Sequence, residues 1–318
     1  MDKFLKLSRN NKIQVEYIWT DVNGDLRSKS RTLPIKKYIP DTIPNWDCNG
    51  NSTGQSNLNN SEIILKPQLI FRDPFRPDNK NSNLLVLCDT YYPNMKNHIS
   101  NTRYKAEQIF RKVQKDVPWF GLEQEFYVCQ KRQKKGNYYC SVGENDIIHR
   151  NLLECHYRAC LYAGIKISGV NFEDHYGQLE YQVGPCVGIS AGDHLLVSRY
   201  ILLRLAEIFN IKISFKSNPK EGIKSGCHCN FSTKKMRDKN GYHIILSEID
   251  NLKETHDIDV KKFKRNTGNF TSGIADRTAS VRIPRVSLRD QCGYFEDRRP
   301  GADIDPYIIT SLMVERLL

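Results

Sequence analysis

The sequence predicts an α+β protein of two domains, and three observations support this. The chain has 318 residues, slightly more than one hydrophobic core usually fills. Residues 13–19 alternate in the manner of a half-buried strand, whereas after Pro93 residues 100–115 place apolar side chains at helical spacing. We therefore expect a small, mostly β domain over residues 1–95 and a larger α+β domain over residues 96–318.

The first domain is expected to consist of short strands and one long loop. The strand at residues 13–19 is followed by a turn at residues 22–25, which contains Gly24. Further strand-like stretches are residues 27–33, 63–65 and 84–88. Residues 45–61 are rich in Asn, Ser and Gly, which indicates an irregular loop.

The second domain mixes amphipathic helices with short strands. Helices are predicted at residues 100–115, 146–163 and 193–209, and Asp193 is placed as the N-cap of the last one. Strands are predicted at residues 119–128, 178–183, 212–215 and 227–232.

Charge and hydropathy narrow the class of protein. The 48 Lys and Arg residues against 36 Asp and Glu give a net charge of +12. This excess is spread along the chain without a long basic stripe carrying aromatic residues, so a solvated basic surface is favoured and nucleic-acid binding is not expected. The mean hydropathy is −0.57 and no apolar run approaches ~20 residues, which argues against a membrane-embedded protein.

The cysteines are expected to be reduced. Ten are present, but no CxxC pair occurs, and Cys88 and Cys160 lie inside apolar runs. The first residues of the chain lack the apolar core of a signal peptide. These features indicate free thiols in a cytoplasmic protein.

Glu123 and Glu125 are candidates for metal ligands. They stand two residues apart in a predicted strand, so both side chains project from the same face. Their neighbours are apolar, which indicates burial, and two buried carboxylates repel each other unless a cation lies between them. Mg²⁺ or Mn²⁺ would suit these oxygen ligands, although a solvent-facing pair on an edge strand is an open alternative.

Other polar residues occur in predicted strands. Glu180 shares a strand face with Gln182, and Glu173 precedes them. His228 points away from the cysteines on either side of it, so a shared Cys-His-Cys site is geometrically poor. Whether His228 is a core residue or a ligand is open at this point.

The C-terminal third is rich in arginine. Arg277, Arg282 and Arg285 are interpreted as strand residues with apolar neighbours, where guanidinium groups need anionic partners. Together with the carboxylates and His228 they suit phosphoryl transfer, in which metal ions and arginines stabilise phosphate charge. A surface ion-pair network is the alternative.

Six motifs carry a resemblance to a known family. They are YIWTD (17–21), FRDPFR (71–76), PWFGLEQE (118–125), HYRACLYAG (156–164), CHCNFST (227–233) and GYFEDRRP (293–300). With them, the chain resembles glutamine synthetases of the eukaryotic type, class II, over essentially its whole length.

The resemblance implies a β-grasp-like N-terminal domain and a C-terminal catalytic domain whose β-sheet or barrel core is flanked by helices. It also implies homo-oligomeric rings whose active sites are shared between neighbouring subunits. The implied substrates are glutamate, ammonium and ATP, with Mg²⁺ or Mn²⁺ as cofactor. Glutamine would form through γ-glutamyl phosphate.

Site residues follow from the resemblance position by position. One metal would be held by Glu125, Glu173 and Glu180, and the other by Glu123, His228 and Glu296. The implied ATP-contacting residues are Trp119, Asn230, Ser232 and Tyr294, with Arg277 and Arg282 at the phosphates. Arg265 and Arg298 would hold glutamate and the transferred phosphoryl group, and the implied catalytic positions are Arg282, Arg298 and Asn49.

The sequence departs from the family pattern around this implied site. Asn49 stands where the family has an aspartate, and an amide cannot accept a proton from ammonium. Residues 269–271 replace a longer flap that carries a glutamate, and the loops at residues 218–225 and 130–136 are also short. Two alternatives are therefore open, a non-catalytic relative that binds ATP and metal, and a γ-glutamyl ligase that uses another amine.

Overall fold

The protein forms two compact units that mix strands and helices, which confirms the predicted α+β class. The first unit comprises the chain up to Lys105 and Arg158–Ile165, and the second comprises Ala106–Tyr157 and Lys166–Leu318. The computed structural model describes residues 7–77, 83–129, 136–143, 147–263 and 268–318, except for the side chains of residues 147 and 148.

The first unit contains a five-stranded sheet. Its strands are β1 (Lys12–Thr20), β2 (Leu26–Pro34), β3 (Trp46–Asn49), β4 (Glu62–Arg72) and β5 (Leu84–Tyr91). They lie in the order β2-β1-β5-β4-β3, with β1 antiparallel to β2 and parallel to β5. The hairpin between β1 and β2 turns at Gly24, whose φ of +84° is one that residues with a Cβ rarely adopt.

The prediction of an irregular loop over residues 45–61 is wrong at its start, where the structure has β3. Tertiary packing explains the difference, because Cys48 is buried in the core of this unit. The ring of Trp46 makes an edge contact with Tyr17 at 5.4 Å, and the Lys29 ammonium lies 3.5 Å from the Trp46 ring centroid. These contacts hold a polar segment in an extended conformation.

The second unit contains an eight-stranded sheet. Its strands are β6 (Trp119–Val128), β7 (Ile167–Phe172), β8 (Gln178–Val187), β9 (Ile213–Ser214), β10 (Cys227–Ser232), β11 (Ser272–Ile274), β12 (Val281–Ile283) and β13 (Phe295–Asp297). Seven of them run in the order β11-β12-β13-β10-β6-β8-β7, and β9 pairs with β6. β6 is antiparallel to both β8 and β10, so it lies at the centre of the sheet.

Helices flank the strands. They are α1 (Thr102–Lys112), α2 (Ile147–Ala163), α3 (Ser190–Phe209), α4 (Lys234–Arg237), α5 (Tyr242–Glu254), α6 (His256–Asp259), α7 (Arg285–Asp290) and α8 (Pro306–Leu317). Short 3₁₀ helices occur at Pro40–Thr42, Gln114–Asp116 and Val260–Lys262. None of the described helices has both the length and the apolar character needed to cross a bilayer.

The N-cap prediction for Asp193 is wrong. Helix α3 begins three residues earlier, at Ser190, and Asp193 lies buried in its first turn. The Tyr307 hydroxyl donates a hydrogen bond to Asp193 Oδ1 at 2.6 Å, so this carboxylate is held by a partner more than 100 residues away.

All ten cysteines are free thiols, as predicted, and Cys88 and Cys160 are buried. Burial raises the pKa of the Cys160 thiol well above its usual value. These two thiols therefore behave as small hydrophobic side chains.

The fully buried His156 should make the stability of the protein depend on pH. Burial lowers its pKa to about 4, against the effect of the Ser198 carbonyl that lies 3.0 Å from Nε2. The unfolded chain takes up this proton below about pH 6.5, whereas the folded chain does not until about pH 4. The free energy of unfolding should therefore fall as the pH drops from 6.5 towards 4.

Urea unfolding at pH 7 and pH 5 tests this prediction. The His156→Gln variant should show a smaller difference between the two pH values than the wild type. His243→Gln, at an exposed histidine, should retain the wild-type difference. Equal pH dependence in all three proteins would contradict the assignment to His156.

Candidate active site

The central strand β6 presents Glu123 and Glu125 on one face, as predicted. Both carboxylates approach the imidazole of His228, at 3.4 and 3.9 Å. Gln124 between them points to the other face, where its Oε1 accepts hydrogen bonds from the buried Arg199. Alternation along one strand thus separates the candidate site from the structural core.

Cross-strand register brings further polar residues to the same face. His228 on β10 is paired directly with Glu123, and Glu180 on β8 is paired with Glu125. On the far side of β10, Glu296 of β13 is paired with Asn230. Residues opposite each other in an antiparallel pair share a face, so four strands contribute to one cluster.

The first group of candidate metal ligands consists of Glu123, His228 and Glu296, whose ligand atoms lie within 4.8 Å of one another. His228 Nδ1 lies 3.4 Å from Glu123 Oε2 and 3.5 Å from Glu296 Oε1. Asn230 Nδ2 donates to the other oxygen of Glu123 at 2.7 Å, which fixes the orientation of that carboxylate. This group contains the three residues that the resemblance assigned to one metal.

The second group consists of Glu125, Glu180 and His228. Two donors hold Glu125 in place, since Gln178 Nε2 and the Gly226 amide reach its Oε2 at 2.8 and 2.9 Å. Glu125 Oε1 is left to face His228 Nε2 at 3.9 Å. His228 therefore belongs to both groups.

Glu173 lies near the second group but does not join it within 4.8 Å. Its carboxylate accepts a hydrogen bond from Asn171 Nδ2 at 2.6 Å. It lines a cavity of about 400 Å³ together with Glu125, His228 and Arg298. Arg265, the other predicted substrate contact, lies outside the described residues, as do residues 130–135 of the shortened basic loop.

Crowding of the carboxylates perturbs their ionisation. Burial and the neighbouring charges of Glu123 and Glu173 raise the pKa of Glu180 to about 9. Burial and the charge of Glu125 likewise raise the pKa of Glu173 to about 7. Burial would also raise the pKa of Glu123, but hydrogen bonds from His228 and Asn230 outweigh it and lower that pKa to about 2. Ionisation of all these carboxylates together would therefore require additional positive charge in the cluster.

Two arginines border the cluster. Arg282 on β12 and Arg298 both donate hydrogen bonds to Glu296, which is fully buried. The prediction that Arg277 and Arg285 also lie on strands is wrong: Arg277 is exposed in a turn, and Arg285 is exposed at the start of α7. Of the three, only Arg282 lies on a strand. It is on β12, directly opposite Glu296 of β13.

Four predicted ATP contacts surround a second cavity, of about 410 Å³. These residues are Trp119, Asn230, Ser232 and Tyr294. The lining also includes Arg237, which sequence reasoning missed, with its guanidinium 4.1 Å from the Trp119 ring centroid. Arg237 donates to the carbonyl and the hydroxyl of Ser232, both at 2.8 Å. In the sequence it stands among exposed lysines and gives no signal of this role.

Asn49 lies in the first unit, exposed at the end of β3. Its Oδ1 accepts hydrogen bonds from the backbone amides of Asn51 and Ser52, at 3.1 and 3.3 Å. The side chain therefore caps the turn that follows β3, a role that an aspartate would fill equally well.

Comparison with known proteins relates this chain to a family of ligases. The family model described as "Glutamine synthetase, catalytic domain" matches residues 97–251. The glutamine synthetase of Hebeloma cylindrosporum is 41% identical, with 99% of this chain and 96% of the relative aligned. The cytosolic isozyme 1-1 of Arabidopsis thaliana is 44% identical, over 96% of this chain and 94% of the relative. A chloroplastic glutamine synthetase of Oryza sativa subsp. japonica is 43% identical, with 96% of this chain and 78% of the relative aligned.

The chain belongs to the glutamine synthetase family, and its function is glutamine synthetase-like. The alignment with the Hebeloma relative runs over 342 positions, more than the 318 residues of this chain. The relative therefore contains insertions that this chain lacks, which agrees with shortened loops.

Proposed function

We propose that the protein is an ATP-dependent ligase that forms glutamine from glutamate and ammonia. In this reaction the γ-carboxylate of glutamate attacks the γ-phosphorus of ATP, and ADP leaves. Ammonia then displaces phosphate from the resulting γ-glutamyl phosphate. The observation that carries the proposal is the meeting of carboxylates from three strands, His228 and two arginines on one sheet face.

We infer that divalent cations, Mg²⁺ or Mn²⁺, bind this cluster. The residues fit such ions, because carboxylate oxygens are the donors that these ions prefer and two groups of ligand atoms each lie within 4.8 Å of one another. A bound cation would also favour the ionised forms of Glu173 and Glu180, whose pKa values burial and neighbouring carboxylates raise. Glu123, His228 and Glu296 would hold one ion, and Glu125, Glu173 and Glu180 the other. Bound there, the ions would polarise phosphate oxygens and neutralise their charge.

The remaining site residues receive roles from their placement or, for Arg265, from the family resemblance alone. Arg282 and Arg298 extend cationic groups over Glu296, where they would stabilise the charge of the transferred phosphoryl group. Arg277, exposed in its turn, would contact the phosphates from outside the cluster, and Arg265 would hold glutamate.

The second cavity supports a nucleotide site beside the cluster. Trp119 provides an aromatic face for the base, backed by Arg237. Asn230, Ser232 and Tyr294 offer hydrogen-bonding groups around it. Asn230 also contacts Glu123, which would connect the nucleotide to the metal cluster.

We further propose a cytoplasmic homo-oligomer, arranged as rings in which active sites are shared between a β-grasp-like domain (1–95) and a neighbour's catalytic domain (96–318). The similarity to a relative named as a cytosolic isozyme supports the location. In such a ring Asn49 would be the residue that approaches ammonium.

Asn49 also favours a second candidate function. An amide can donate to or accept from ammonium but cannot remove its proton, and loss of a general base typically costs about 10²–10⁴-fold in rate. The first half-reaction does not need this residue. A relative that binds ATP and metal without turnover, or one that transfers the glutamyl group to another amine, is therefore the alternative.

Phosphate release from ATP and glutamate with Mg²⁺, with and without ammonium, tests the proposal when glutamine is measured in parallel. Ammonium-dependent glutamine would support the ligase function. Glutamate-dependent phosphate release without glutamine would overturn the ligase proposal. It would favour an enzyme that activates glutamate and then transfers the glutamyl group to water or another amine. No phosphate release from a folded protein that binds ATP would favour the non-catalytic relative.

A further inference from the structure

The loop that follows Asn49 is folded around one backbone carbonyl. The Gly50 carbonyl accepts hydrogen bonds at 3.2, 2.7 and 3.1 Å from three amides of the loop, those of Thr53, Gln55 and Ser56. A Cβ at Gly50 would come within 2.6 Å of Ser56 Oγ, so glycine allows the loop to pack this closely. The position of Asn49 therefore depends on how this loop is held.

A buried histidine contacts the loop from the segment between β5 and α1. His98 is 2% exposed, and its Nε2 lies 2.8 Å from the Gln55 carbonyl oxygen. Its Nδ1 accepts a hydrogen bond from the backbone amide of Ser100 at 3.1 Å, and a backbone amide can only donate. The ring is therefore neutral and carries its hydrogen on Nε2, which donates to the Gln55 carbonyl. Burial favours the same form, because it lowers the pKa of His98.

Both ends of this contact are fixed to the sheet of the first unit. The His98 amide donates to the carbonyl of Thr90 on β5 at 3.0 Å. Gln55 is also buried, and its Nε2 donates to the Ser100 hydroxyl at 3.1 Å and to the carbonyl of Thr20 on β1 at 3.3 Å. His98 and Gln55 therefore tie the loop to two strands.

A series of hydrogen bonds connects His98 to the residue after Asn49. The His98 ring holds the Gln55 carbonyl, and the Gln55 amide donates to the Gly50 carbonyl at 2.7 Å. Gly50 directly follows Asn49, and its own amide donates to the Ser61 carbonyl at 2.6 Å. Loss of the first bond in this series should let the loop move, and the Asn49 side chain would then keep one orientation for less of the time.

We propose that His98 is a positioning residue that holds Asn49 in the orientation needed for the ammonium step. This inference rests on the proposed function, because it takes Asn49 as the residue that approaches ammonium. A site that is competent for only part of the time binds its ligand more weakly by that fraction. Loosening of the loop should therefore raise KM for ammonium more than KM for glutamate or ATP.

Two substitutions of His98 separate its two hydrogen bonds. In His98→Asn the amide oxygen replaces Nδ1 as the acceptor for the Ser100 amide, but no donor reaches the Gln55 carbonyl. KM for ammonium should rise about 3- to 10-fold, the equilibrium effect of losing one hydrogen bond, with the other two KM values within about twofold of the wild type. In His98→Gln the amide nitrogen replaces Nε2 as the donor, so most of the wild-type KM for ammonium should be recovered.

His243→Asn is the matched control, because His243 is exposed on α5 and the same substitution there should leave all three KM values unchanged. If His98→Asn does not fold, Ser100→Ala is a milder variant, since the Ser100 hydroxyl contacts both His98 Nδ1 and Gln55 Nε2. It should also raise KM for ammonium selectively. A wild-type KM for ammonium in the folded variants, or an equal rise in all three KM values, would overturn the proposal.

Hydrogen exchange of the backbone amides of residues 50–56 separates this inference from the proposed function. Exchange in this loop should be faster in His98→Asn than in the wild type, and exchange in β1 and β5 should be unchanged. Absence of glutamine formation by the wild type would defeat the proposed function, but the exchange rates would still decide whether His98 holds the loop. Equal exchange in the two proteins would overturn the inference even if the enzyme is active.

Discussion

The Glu125→Gln variant is expected to lose glutamine formation by at least about 100-fold while its fold is retained. Residues that merely orient metal ligands typically cost about 10–100-fold when replaced, and Glu125 would contact the ion directly. The amide oxygen of glutamine can still accept the hydrogen bonds from Gln178 and the Gly226 amide, so the local structure should survive. What is lost is one negative charge that faces His228.

Two measurements examine this prediction. Steady-state glutamine formation reports the catalytic loss, and the rise in melting temperature on addition of Mg²⁺ or Mn²⁺ reports metal binding, because a ligand of the folded state stabilises it. Glu125→Gln should abolish or greatly reduce that rise. Glu254→Gln, on the exposed side of α5, should match the wild type in both assays. Retention of full activity by Glu125→Gln would exclude this carboxylate as a ligand.

Of the substitutions proposed, Arg299→Met is expected to lower the free energy of unfolding most. Arg299 and Asp297 are buried together, at 1% and 0% exposed, and two nitrogens of the guanidinium lie 2.9 Å from the two carboxylate oxygens. The guanidinium also lies 4.7 Å from the Phe263 ring centroid. Methionine would leave the buried Asp297 charge without its partner, which typically lowers the free energy of unfolding by about 3–5 kcal/mol.

Urea and thermal unfolding measure this effect, and a decrease in melting temperature of roughly 10 °C is expected. Arg289→Met is the control, because Arg289 pairs with Asp290 on the surface and its loss should not be detectable. If Arg299→Met does not fold, the double variant with Asp297→Asn should recover part of the stability, since it removes the unpaired buried charge of Asp297. A stable Arg299→Met protein would show that the pair contributes little.

Much of the site was predictable from the sequence because its residues alternate along strands. Glu123 and Glu125 had to share a face once residues 119–128 formed a strand, and His228 had to point away from its flanking cysteines. What the sequence could not supply was register. Nothing in the local pattern places His228 opposite Glu123, since that pairing depends on how two strands more than 100 residues apart align.

Asp193 and Arg237 were misjudged for the same reason, which is a partner distant in the chain. The sequence around Asp193 is typical of a helix N-cap, but the side chain accepts a hydrogen bond from the hydroxyl of Tyr307. Arg237 stands in a run of basic residues that would be assigned to the surface, but Trp119 and Ser232 draw it against the second cavity. Contacts of this kind leave no periodicity and no local motif.

The alternation in β10 has a consequence for how this chain can change in length. Cys227 and Cys229 face the core and His228 and Asn230 face the cluster, so removing one residue within β10 would exchange the two sets and place thiols where the imidazole belongs. Deletions in the loops displace no such set. Shortening is therefore expected in the connections between strands, and a chain of this family can lose several loop segments while the candidate metal ligands on its sheet stay in place.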